Sequence, residues 1–299
     1  MNLLADLPFD GYPTEYLLAR LRGRGALVPP DRPIIPSDDR SEERESREAP
    51  AWLYRQMNRN LRQTMTPVFT VLELRTLILC LRNKSSRALD TVQNLLSSSL
   101  WSAELKRILL ADQDLPAAVG AASLWLTHRL EDFAGLPAAF DQNGLRGFEG
   151  ELYHRYLRAS LAGRHPPAVR LVLTHLVDLR NLLAVYKKLR WELITPCVYL
   201  AGGTLSLATL KNIERTGRVQ AMESLLGPIA GERKVSAEGI ETALMDQLRR
   251  NLRRSGRVGD PFGAILDFLW SHFIRDRNSR LRHLCADLDS GTLDAELVA

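Results

Sequence analysis

Histidine and carboxylate spacing is the first place to look for chemistry in this chain. Its six histidines are His128, His154, His165, His175, His272 and His283. None falls in a His-Glu-x-x-His arrangement, which would set two imidazoles one helical turn apart beside a general base, so zincin-type hydrolysis is excluded. Glu151-Leu-Tyr-His154 has the Glu-x-x-His spacing of a carboxylate di-iron helix, a site that needs a second copy of the motif. None of the other five histidines has Glu three residues before it, and the pair reads as a surface feature. Asp38-Asp39-Arg-Ser-Glu42 has the look of an aspartate-rich metal–diphosphate motif. Such carboxylates must converge from a rigid helix, and these lie in a Pro-rich stretch.

No Gly-x-x-x-x-Gly-Lys cradle and no Gly-x-Ser-x-Gly elbow is present, and Gly144, Gly147 and Gly150 follow no strand. Cys80, Cys197 and Cys285 are odd in number and far apart. This argues against a disulfide framework and a cysteine-rich zinc module, and a reducing compartment fits best. The expectation is a chain without catalytic residues, without a cofactor and without a metal.

The elements that would position any site are helical. Leu, Ala and Arg dominate, and no β-branched run alternates at period two over the length of a strand. Pro and Gly breaks bound helix candidates at 13–24, 50–65, 67–83, 86–98, 101–112, 115–133, 148–163, 167–193, 205–215, 218–226, 237–254 and 262–288. The acidic stretch Pro29–Pro50 is too polar to fold alone and is expected to be a mobile loop. No segment is expected to cross a bilayer, because the apolar runs Pro67–Leu81 and Val169–Leu189 carry charges. Met1–Asp10 lacks the basic start of a secretory signal.

Charge is uneven. Residues 1–150 carry 18 basic and 19 acidic side chains, and residues 151–299 carry 22 and 16, so the second half has all the excess. It is densest at Arg249, Arg250, Arg253, Arg254 and Arg257. Such a cluster suits nucleic acid, anionic headgroups or an acidic protein surface. It also stands at a helix C-terminus, where cations favour the macrodipole.

Within 167–193, Val172, Leu176, Leu179, Leu183 and Tyr186 form an apolar stripe, and Thr174, His175, Asp178 and Asn181 form a polar one. The polar groups must face solvent or pair with a neighbouring helix. Asp178-Leu-Arg180-Asn181-Leu-Leu has an upstream echo, Glu73-Leu-Arg75-Thr76-Leu-Ile, at an offset of 105 residues. A weaker third copy lies at Asn278–Arg282. A period near 100 residues is too long for a solenoid and predicts three related helical lobes.

These segments resemble the C/d family of central-stalk adaptors found in archaeal-type and vacuolar-type rotary ATPases (A-type ATP synthases and V-type ATPases). Tyr16-Leu-Leu-Ala19-Arg20-Leu-Arg22 is similar to the family's opening helix. The Glu73 and Asp178 runs look like its repeated Asp-x-x-Asn-Leu helices. Phe148–Tyr156 resembles the helix that opens its second lobe. Tyr199-Leu-Ala-Gly202-Gly203-Thr-Leu resembles the Gly-Gly turn, and Phe262–Leu293 the last helix and ending. The first copy departs from the pattern with Glu73 and Thr76 in place of Asp and Asn.

The resemblance implies an all-α protein with three pseudo-repeated lobes arranged as a funnel. Residues 1–112 (29–50 a mobile loop), 113–216 and 217–299 would be the lobes. It implies a non-catalytic central-stalk rotor component joining the rotor shaft to the membrane proteolipid ring, carrying torque for proton or sodium transport. Such a component is peripheral on the cytoplasmic face of a membrane and binds no nucleotide and no nucleic acid. Under it Glu73, Arg75, Asp178, Arg180 and Asn181 tie helices together, and Arg249–Arg257 meets a partner. Two alternatives remain: a basic helical nucleic-acid-binding protein, and a helical metal-dependent enzyme.

Overall fold

Side-chain caps and glycine turns set the helix limits. The structure, a computed structural model, describes residues 3–26, 39–86, 88–192, 197–217, 221, 222, 225 and 237–284. Eleven α-helices and no strand occur among the described residues, so the protein is all-α. They are α1 (Thr14–Ala26), α2 (Asp39–Gln56), α3 (Arg59–Ser85), α4 (Leu89–Ser98), α5 (Ala103–Leu110), α6 (Leu115–Thr127), α7 (Leu136–Ala162), α8 (Pro167–Arg190), α9 (Leu207–Thr216), α10 (Ala237–Arg257) and α11 (Pro261–Leu284).

Several limits differ from the sequence reading. Residues 39–50, expected as loop, belong to α2. Glu, Arg and Ala are good helix formers, and Ala49, Ala51 and Leu53 give the helix a buried end despite Pro50 within it. Residues 27–38, the rest of that loop, lie outside the described residues. Pro67 does not open a helix but sits inside α3. The break falls earlier, where Asn58 Oδ1 accepts the Leu61 N–H at 2.9 Å and caps α3. α7 starts twelve residues before the expected helix and bends at Asn143 and Gly144, where Gly144 takes φ +59°. The 218–226 candidate lies mostly outside the described residues.

Contacts divide the chain into two units, Met1–Leu17 with Glu48–Arg164, and Leu18–Arg47 with His165–Ala299. This division does not coincide with lobe limits at 112 and 216. In the first unit α3 packs against α4, α6 and α7. Its buried Phe69 and Leu74 and the fully buried Trp101 mark the core. α3 is 27 residues long and apolar enough to meet the length and composition of a bilayer span, contrary to expectation. Most of its apolar stretch is buried inside the protein, as for a core helix.

In the second unit α8 packs against α9, α10 and α11, and α10 and α11 form a hairpin. Leu182, Val185, Leu210, Ile213 and Leu244 make one cluster. α8 opens with Pro167 and closes with Lys187, Lys188 and Arg190, both favourable to a helix. Its polar residues Thr174, His175, Asp178 and Asn181 are all buried, whereas Leu176, Leu179, Leu183 and Tyr186 of the apolar stripe are only half-buried. The polar stripe therefore lies on the deeper face and must be paired there.

Candidate functional site

The buried carboxylates on α3 and α8 have matching surroundings. Glu73 Oε2 accepts the Ser99 hydroxyl at 2.8 Å, and Oε1 accepts the Leu100 N–H at 2.9 Å. Trp101 Nε1 adds a bond to the Glu73 backbone carbonyl, 3.1 Å. Asp178 Oδ2 accepts the Thr204 hydroxyl at 2.5 Å and the Thr204 N–H at 2.9 Å, and Oδ1 accepts the Leu205 N–H at 3.0 Å. Hydroxyl and N–H come from residues 26 and 27 positions downstream in both cases. One turn along α8, Asn181 takes the Leu200 N–H and donates to the Leu200 carbonyl, both 2.9 Å. The N–H and carbonyl of Leu200, outside any helix, are thereby both satisfied by one side chain.

Glycine makes the second tie possible. A Cβ on Gly203 would stand 2.1 Å from Asp178 Oδ1, so only glycine lets the backbone approach. Gly202, at φ +97°, supplies the turn before it.

Burial raises the Glu73 carboxyl above its ordinary range, against the Leu100 N–H, Ser99 and the nearby Lys106 charge. Burial also pushes the Cys80 thiol up to about 12, with Glu73 adding to it, so Cys80 is a neutral core thiol and not a nucleophile. On α8, burial holds His175 down at about 4 despite Asp178 and the Leu244 carbonyl. A third node joins α8 to α9. Glu214 accepts the Cys197 N–H (3.0 Å) and the Tyr199 hydroxyl (2.7 Å) and pairs with Lys188 at 2.9 Å. Burial would raise it, yet these partners bring it down to about 2.

Of the five residues expected to tie helices to one another, Glu73, Asp178 and Asn181 instead tie their own helices to non-helical segments, at 99–100, 204–205 and Leu200. Arg75 is a correction: two positions past Glu73 is about 200° around the helix, and Arg75 is exposed. Arg180, two past Asp178, is half-buried, and the Asp178 tie runs to Thr204 and Leu205 instead. Ser99 and Thr204 were not singled out from the sequence, although Ser99-Leu100 and Thr204-Leu205 continue the 105-residue offset. Glu214 carried no such signal.

The arginine cluster is divided. Arg250, Arg254 and Arg257 are exposed, whereas Arg249 and Arg253 are half-buried against α11. There Arg253 Nε lies 3.6 Å from Asp267 Oδ1. Glu151 is bonded to Arg155 at 2.6 Å and lies 3.9 Å from His154 Nδ1, the geometry of a surface ion pair. Asp39 and Glu42 fall on α2, not in a loop, so a loop setting does not discount them, and Asp38 lies outside the described residues. No group of three or more His, Cys, Asp or Glu side chains that could hold a metal occurs among the described residues. The arrangement holds non-helical segments in place through hydrogen bonds to buried side chains. No family model matches the chain, and no curated protein matches it.

Proposed function

We propose that this chain is a non-catalytic central-stalk adaptor of a V/A-type rotary ATPase, a three-lobed helical funnel linking the rotor shaft to the proteolipid ring. The observation that carries the reading is the repeated carboxylate tie at an offset of 105 residues. A rotor part that transmits torque needs stiffness more than chemistry, and ties of this kind lock a loop onto a long helix at two equivalent places. Asn278, buried on α11, would mark the third copy. In this reading the protein lies peripherally on the cytoplasmic face of a membrane and binds no nucleotide.

Affinity capture of the tagged protein from gently solubilised native membranes, with partners identified by mass spectrometry, tests it. Proteolipid and stalk proteins retained through moderate salt and nuclease are the expected result. Exposed Arg250, Arg254 and Arg257 favour a second reading, a basic helical nucleic-acid-binding protein. Its affinity would fall steeply with salt through counterion release. Recovery of nucleic acid alone, lost in salt, would establish it and remove the adaptor.

A further inference from the structure

The Glu73 and Asp178 ties differ in the charge beside them. Lys106 stands near enough to Glu73 to favour its ionised form, and its ammonium donates to the Ser99 carbonyl at 2.7 Å. Lys211 is its counterpart at the 105-residue offset, yet Lys211 is exposed. Helix start explains this. Lys106 is four residues past the cap Ser102 of α5, whereas Lys211 is five past Ser206 at the start of α9. One residue turns a side chain by about 100°. The inward position four past Ser206 is the fully buried Leu210.

Asp178 is thus a carboxylate only 3% exposed with no ion pair among the described residues. Burying a charge without an opposite one is costly. Beside it lies a cavity of about 100 Å³ between α8, the 204–205 turn and α10. Thr174, His175, Asp178, Thr204, Gln247 and Asn251 supply its polar lining, and no lysine or arginine does. His175 is 6% exposed, and its Nε2 has no hydrogen bond. Held neutral at pH 7, an imidazole offers a lone pair. Thr204 is exposed, and Gln247 and Asn251 are half-buried, so the cavity is reached from solvent.

We propose that this cavity is a binding site for a small primary alkylammonium ion, whose N–H groups are received by Asp178, by His175 Nε2 and by the carboxamide oxygen of Asn251. The three donors of an ammonium match three acceptors from two helices. The first tie holds the same chemistry within the chain, in Lys106. The site would supply from outside the charge that α9 turns away.

Titration of the full-length protein with methylammonium and n-butylammonium, read as melting temperature at constant ionic strength, tests this. Tetramethylammonium is the control, with equal charge and no N–H donor, and zinc chloride is run in parallel. The expected result is a saturable rise with the primary amines and none with tetramethylammonium. Asn251→Leu, at the rim, should weaken it about tenfold, the loss of one bond to a charged group. His175→Phe should do the same, and Asn251→Leu serves alone if that variant does not fold. An equal rise with tetramethylammonium, unchanged amine binding in Asn251→Leu, or a response to zinc only would overturn the proposal. None of these outcomes bears on the rotor adaptor, which the membrane capture tests separately.

Discussion

Glu73 and Asp178 stand 105 residues apart on two long helices, and each receives a hydroxyl from 26 residues downstream and a backbone N–H from 27. The partners are Ser99 and Leu100 in one unit, Thr204 and Leu205 in the other. Carboxylate, hydroxyl and apolar residue recur in step. A single favourable pair arises readily among leucine-rich helices; a matched three-residue contact at one offset ties the local pattern to tertiary structure.

Removing either carboxylate should cost more than removing its charge. Glu73→Ala leaves the Ser99 hydroxyl and the Leu100 N–H buried without acceptors, a loss of about 2–3 kcal/mol. Glu73→Gln keeps an acceptor and sheds a charge whose burial is unfavourable, so it should lose under about 1 kcal/mol. Asp178→Ala should resemble Glu73→Ala. Urea melts of the three variants check this, and equal losses for Glu73→Ala and Glu73→Gln would contradict it.

Glycine substitutions separate contact from propensity. Gly203→Ala would press a methyl group onto Asp178 Oδ1 and should cost about 2 kcal/mol, as much as losing bonds to that carboxylate. Gly120, inside α6, has open space where its Cβ would stand, so Gly120→Ala should stabilise by up to about 1 kcal/mol. Opposite shifts in melting temperature are the expected reading.

The all-helical class was legible because it rests on short-range periodicity, and the offset between Glu73 and Asp178 because a six-residue pattern recurs around each. That the polar stripe of α8 lies deeper than Leu176, Leu179 and Leu183 was not. A helical face shows amphipathicity, but which side is covered depends on α9, α10 and α11, whose positions no local pattern gives. The true start of α3 was hidden for a related reason. Pro67 is a strong breaker by itself, yet the Asn58 cap nine residues earlier and the packing of Phe69 and Leu74 outweigh it. His175 was readable as one of a polar stripe, while its burial and its cavity depend on Gln247 and Asn251 of a distant helix.

Acid should destabilise the fold before the ordinary carboxylates titrate. His175 and His272 are held at about 4, both mainly by burial; Arg275 and Arg24 also lower His272. Unfolded, each takes up a proton near pH 6.5, so between those values the unfolded chain binds more protons and stability falls as pH drops. The loss between pH 7 and pH 5 should be about 2 kcal/mol per histidine. Glu73, raised by burial, acts in the opposite sense, since the folded protein binds its proton first. Urea melts at both pH values, with His272→Leu as the comparison, isolate one histidine. A pH dependence unchanged in that variant would show that other groups carry it.

The arginines of α10 should separate by burial. Arg250, Arg254 and Arg257 are exposed, so replacing all three with Ser should change stability by no more than about 0.5 kcal/mol. If this face meets an anionic partner, the same triple variant should lose capture of that partner from membranes or lysate. Arg253 instead leans on Asp267 across the α10–α11 hairpin, and Arg253→Ser should cost about 1 kcal/mol while leaving capture intact. The salt dependence then tells which partner the exposed three serve. A steep, log-linear fall with ionic strength belongs to phosphate neutralisation, each lost phosphate contact lowering the slope by about one. A shape-matched protein surface, closed around a dry centre, would lose far less. Retention of full capture by the triple variant would move the partner-binding face away from α10.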